Sequence, residues 1–131
     1  VDDPVIDLNA ALARAVAAAA GGEVAASELK LDRPKQAEHG DFATNAALVV
    51  AKGLGRQPRE FAEQLVAELG VQLGAALVRA EVAGPGFVNL VLADGWYNDA
   101  VDRVLAAGEG WGGAVAEPPL QINIEFVSAN P

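Results

Sequence analysis

Leu8, Leu12 and Val16 recur at every fourth position behind Ile6, and Gly21 and Gly22 follow. This spacing predicts an amphipathic helix over about residues 7–20 with an Ala-rich back. Leu29 and Leu31 then alternate with Lys30 and Asp32 until Pro34 interrupts, which predicts a short half-buried strand over 28–33. A polar loop to about Asp41 comes next. The helical period returns over 44–52, with Thr44 placed to cap the helix, Phe42 to staple its entry and Gly53 to end it. Pro58 opens a further helix in which Phe61, Leu65 and Leu69 share one stripe and Gly70 marks the end.

Beyond Gly70 the period changes from 3.6 to 2. Residues 77–83 and 87–93 read as strands joined by Gly84-Pro85-Gly86, a strong turn signal, so the pair is expected to form a β-hairpin. Asp94 is placed to cap a helix over about 96–107 whose buried face is expected to carry Tyr97, Val101, Val104 and Leu105. Residues 108–119 hold six Gly or Pro in twelve positions and read as a connector. Leu120, Ile122, Ile124 and Phe126 alternate with Gln121, Asn123 and Glu125, so a strand is expected to begin there. The chain reaches Pro131 where that strand should turn, and the sequence is expected to continue. The order helix, strand, helix, helix, hairpin, helix predicts an α+β domain with helices over one face of a small antiparallel sheet.

Composition narrows the chemistry. The 131 residues include 28 Ala and no Cys, with His39 the sole histidine, Thr44 the sole threonine, and Ser27 and Ser128 the only serines. Disulfides, thiolate nucleophiles and Cys- or multi-His metal sites are thereby excluded, and a Ser/His/Asp triad is left with almost nothing to draw on. The formal charge of −9 opposes non-specific attraction to phosphate backbones, so any contact with RNA must be local. The Ala-rich stretch 10–20 follows acidic residues and contains Arg14, unlike a signal peptide, and no apolar run is long enough to span a membrane. A cytoplasmic protein is expected.

Few residues point to a site. Gly108–Gly113 matches G-x-G-x-x-G but follows a helix and precedes Pro118-Pro119, the reverse of a dinucleotide-binding context, and reads as linker. His39, next to Gly40 and Asp41, reads as a turn residue or hydrogen-bond donor. The hairpin says more. In 87–93 the core face is expected to hold Val88, Leu90 and Leu92, which leaves Phe87, Asn89 and Val91 on the other face. An aromatic ring beside an amide on an open strand suits an unstacked nucleobase: the ring stacks and the amide bonds the base edge. The pattern alone leaves a second reading open, in which Phe87 packs under the next helix and Asn89 merely faces solvent. Glu125 at a strand end and Asn130 in the following loop have the chemistry to hold a small cationic ligand, although a strand-end Glu is usually solvated.

Three segments together, HGDFATNAAL (39–48), AGPGFVNL (83–90) and IEFVSANP (124–131), resemble the amino-terminal part of bacterial-type arginyl-tRNA synthetases. In that family the last segment runs on into Thr-Gly-Pro and the His-x-Gly-His signature of class I synthetases. The resemblance implies an added tRNA-binding domain over 1–112, a linker over 113–119, and the first strand of a truncated Rossmann-type catalytic domain over 120–131. It further implies that Phe87 and Asn89 hold an unstacked base of the tRNA D-loop, and that Glu125, Ser128 and Asn130 contact the arginine substrate. The family's enzymes join L-arginine to its tRNA through an arginyl-adenylate, using ATP with magnesium. A chain without the adenylate-binding histidines is expected to be inactive alone, to require no cofactor of its own, and to act as a monomer away from membranes. Lys30, Arg33, Lys35 and Arg79 are the expected local cations. The competing expectation is a protein-interaction or structural module with no nucleic-acid role.

Overall fold

Asp3 accepts a hydrogen bond from the Val5 N–H at 2.8 Å and Pro4 fills the first turn, so the first helix, α1 (Pro4–Ala20), starts almost a turn before its apolar stripe. The protein is described here from a computed structural model over residues 3–25, 29–113 and 118–127. The remaining helices are α2 (Ala46–Leu54), α3 (Pro58–Leu73) and α4 (Asp94–Ala107). The strands are β1 (Leu31–Asp32), β2 (Phe42–Thr44), β3 (Leu77–Ala83) and β4 (Phe87–Leu92). They form one antiparallel sheet in the order β1-β2-β4-β3, and the expected α+β architecture is present.

The core lies between one sheet face and α1, α2 and α3. Phe42, Thr44, Val88, Leu90 and Leu92 point inward from β2 and β4, against Leu8, Leu12 and Val16 of α1 and Phe61, Leu65 and Leu69 of α3. All are buried, and the predicted stripes of α1 and α3 are the packed ones. Ala46, Ala47, Ala51 and Ala62 are fully enclosed. Their single methyl groups let α2 and α3 sit close to the sheet, so the high Ala content that buries little area per residue supports close packing instead.

Four local expectations are corrected. The strand expected over 28–33 is the two-residue β1. Phe42 and Thr44, expected to staple and cap α2, belong to β2; the Thr44 hydroxyl still accepts the Ala46 N–H at 3.1 Å, from a strand end one residue before the helix cap Asn45. α3 continues through Gly70 to Leu73. Ala93 rather than Asp94 stands at the N-cap of α4, and no residue of that helix is buried.

The last point has a physical cause. The core face of the sheet is already covered by three helices, so α4 touches the domain only along a margin. Its Trp96 meets the Phe42 ring edge-on at 6.1 Å, and Arg103 pairs with Asp7 of α1 at 2.5 Å. Val101 and Leu105 stay 56% and 71% exposed. Residues 120–127 carry no secondary structure and are exposed throughout. The alternation of Leu120, Ile122, Ile124 and Phe126 is real, but a strand needs a neighbour for its backbone hydrogen bonds, and this segment pairs with none among the described residues. No described helix is long and apolar enough to cross a membrane.

Candidate nucleic-acid interface

The pleat of β4 sends Val88, Leu90 and Leu92 into the core and Phe87, Asn89 and Val91 to the opposite face, as the alternation predicts. Phe87 is 43% exposed, and it does not pack under α4. Both neighbouring strands contribute to this outward face. Ala43 of β2 and Glu81 of β3 stand opposite Asn89, and Ala83 stands opposite Phe87.

The hairpin turn that launches Phe87 is tightly seated. At Gly86, with φ of 150°, a β-carbon would lie 3.2 Å from the Pro58 side chain and 3.3 Å from that of Leu48. Arg59 donates to the Gly84 carbonyl at 2.7 Å. The first turn of α3 therefore fixes the backbone from which the aromatic ring projects.

A second close approach brings the β1–β2 connection to the same face. The Asp41 N–H donates to the Leu90 carbonyl at 2.8 Å, and the Asp41 carboxylate accepts the Leu92 N–H at 2.8 Å. Just before them, Gly40 adopts a φ of 88°, and a β-carbon there would stand 2.5 Å from the Leu90 carbonyl oxygen. Only glycine fits. The short 3₁₀ turn Ala37–His39 is thereby set against β4, and a groove of about 470 Å³ opens between the two. Phe87, Asn89, Ala43 and Ala83 line it from the sheet, Gly84 from the hairpin turn, and Pro34, Lys35, Gln36 and His39 from the connection.

Asp41 also receives a hydrogen bond from Tyr97 of α4. Burial, this bond and the Asp41 charge raise the Tyr97 pKa above its ordinary value of 10.0, with Arg33 opposing. A raised folded-state pKa means that the stabilisation is complete below the unfolded value and is lost as pH climbs through the folded one. Stability should therefore fall on alkaline titration above about pH 10. Tyr97→Phe should show a shallower decline there by denaturant melts, and identical slopes for both proteins would refute the assignment.

The expected sites fare differently. Phe87 and Asn89 share one groove. Lys35 borders it, whereas Arg79 pairs with Glu81 at 3.5 Å further along the sheet, Arg33 lies over the Phe42 ring at 5.6 Å, and Lys30 stands exposed next to β1. His39 is the turn residue expected, and it also borders the groove, a placement its loop context did not suggest. Gln36 and Ala43 carry no motif in the sequence; the signal that leads to them is Gly40-Asp41, a pair suited to a close backbone approach. Glu125 is exposed, and Ser128 and Asn130 lie outside the described residues. The G-x-G-x-x-G run leaves α4 through a 3₁₀ turn at Gly108–Gly110 and not from a strand.

Comparison with known proteins places this geometry in a lineage. Residues 7–92, which include the hairpin and its groove, match the family model described as the arginyl tRNA synthetase N terminal domain. An arginine–tRNA ligase of Aromatoleum aromaticum is 48% identical over 121 residues, covering 92% of this chain and 20% of that protein. One from Dechloromonas aromatica is 42% identical over 129 residues, 98% of this chain and 22% of the relative. One from Nitrobacter hamburgensis is 43% identical over 105 residues, 80% of this chain and 17% of the relative. The chain thus spans about a fifth of the length of the curated relatives it matches.

Proposed function

Because the chain belongs to the family of arginyl-tRNA synthetase N-terminal domains, we propose that it is the tRNA D-loop recognition module of an arginine–tRNA ligase. Phe87 stacks on an unpaired base and Asn89 bonds the base edge. The observation that carries this reading is a large aromatic ring left 43% exposed beside a half-buried amide, on a sheet face whose opposite side is fully packed. Solvated aromatics are costly, and stacking on a base recovers about 1–3 kcal/mol.

The catalytic work, joining L-arginine to its tRNA through an arginyl-adenylate, is assigned to the four-fifths of the relatives' length that this chain does not span. ATP and its magnesium ion belong there as well. Among the described residues no strand runs through a Gly-rich loop into a helix, the arrangement that cradles phosphates. Glu125 would pair the guanidinium of arginine, with Ser128 and Asn130 beside it, once the rest of the protein is in place. The chain alone is expected to be inactive, monomeric and cytoplasmic. With a charge of −9 its own affinity for tRNA should be weak and salt-sensitive.

Phe87→Ala in the ligase should raise KM for tRNA by about tenfold, as the loss of one stacked base implies, with kcat little changed. A KM equal to the parent's removes Phe87 from the interface. The rival reading, a face that docks a protein, makes a different forecast: the Phe87 and Asn89 amide resonances would then stay still on titration with millimolar tRNA.

A further inference from the structure

Only one side of the groove belongs to the hairpin. On the sheet, Ala83 stands across the strand pair from Phe87, and Asn89 is flanked by Ala43 on one side and on the other by Glu81, whose carboxylate is engaged by Arg79. A methyl group leaves the space beside the ring open, whereas a branched side chain would fill it. The other side is Pro34, Lys35, Gln36 and His39, brought there by the Gly40 approach and the two Asp41 hydrogen bonds. A volume of about 470 Å³ falls within the range of small-ligand pockets and suits one nucleotide, not a duplex.

The chemistry of this second side matches a nucleotide. Lys35 is exposed and makes no ion pair among the described residues, so its charge is available to a phosphate. Arg79, the cation further along the same face, is already engaged by Glu81. Gln36 and His39 add donors and acceptors opposite Asn89.

We infer that the β1–β2 connection forms the second wall of a single-nucleotide clamp. A base lying on Phe87 is enclosed by Pro34–His39, Lys35 holds its phosphate, and Gln36 and His39 bond polar groups that Asn89 does not reach. The inference rests on the reading of Phe87 and Asn89 as an RNA contact.

The test is titration of the protein with an arginine-accepting tRNA transcript at several salt concentrations. Lys35→Ala should weaken binding about three- to tenfold at low salt and reduce the slope of log K against log salt by about 0.7–0.9, one phosphate's worth, and Lys35→Arg should restore both. Ala43→Leu, with its fold checked by circular dichroism, should fill the groove and weaken binding tenfold or more; if that variant does not fold, the Lys35 pair decides. Gln36→Ala and His39→Ala should narrow the preference among transcripts that differ only in the unpaired D-loop base. If Phe87→Ala weakens binding while Lys35→Ala and Ala43→Leu keep the parent's affinity and salt slope, the base lies on an open sheet and the clamp is wrong. If Phe87→Ala has no effect, the reading beneath falls and the clamp with it.

Discussion

Replacing Phe61 with Ala is expected to lower the free energy of unfolding by about 3–5 kcal/mol, a large share of what a domain of this size has in total. Phe61 is completely buried in the first turns of α3, between α1 and the sheet. Its removal takes apolar surface out of a core cluster that includes Ala46, Ala47 and Ala62, whose single methyl groups cannot reach into the space it leaves. A second contact is lost with the ring. The Arg56 guanidinium lies over it at 4.9 Å while donating to the Ala19 carbonyl at 2.9 Å and to the Gln64 side chain, so one residue ties the end of α1 to the start of α3. The measurement is equilibrium unfolding in urea: the midpoint should fall steeply with the slope unchanged. A loss below about 1.5 kcal/mol would mean that the site relaxes more readily than its packing implies.

Gly40→Ala should cost about 3 kcal/mol or more and weaken tRNA binding along with stability. The added β-carbon would stand 2.5 Å from the Leu90 carbonyl oxygen, in a backbone conformation that L side chains rarely adopt. The chain can escape only by moving residues 37–41 off β4. That breaks the bonds from Asp41 to Leu90 and from Leu92 to Asp41, and it carries Gln36 and His39 away from Phe87. Gly53→Ala is the internal comparison, since a β-carbon there meets nothing within 4 Å. Melting both variants beside the parent separates a general glycine effect from the close approach; equal midpoints for the two would refute the assignment.

Much of this was legible in the residues. The stripes of α1 and α3 and the two faces of β4 follow from periods of 3.6 and 2, and each face does what its period predicts. Local patterns fail where a partner decides the outcome. β2 is three residues long, too short for an alternation to register, and it exists because β4, far along the chain, supplies its hydrogen bonds. The apolar stripe of α4 reads as buried because Val101, Val104 and Leu105 have the right spacing, yet spacing cannot say that the sheet face is already occupied. Residues 120–127 show the same limit from the strand side. Of the groove, the Phe87 and Asn89 half could be read from the hairpin alone. The other half depends on how closely Gly40 approaches a strand that the sequence does not pair with it.

The strand order β1-β2-β4-β3 also divides the groove between a local and a long-range closure of the chain. The β3–β4 hairpin is a local closure, whereas pairing β2 with the other edge of β4 closes a long loop that contains α2, α3 and β3. The Phe87 side of the groove thus rests on local pairing, and the other side on a long-range closure. A ligand that needs both sides binds only the fully paired sheet, and by mass action it stabilises the β2–β4 junction, the long-range closure of the fold.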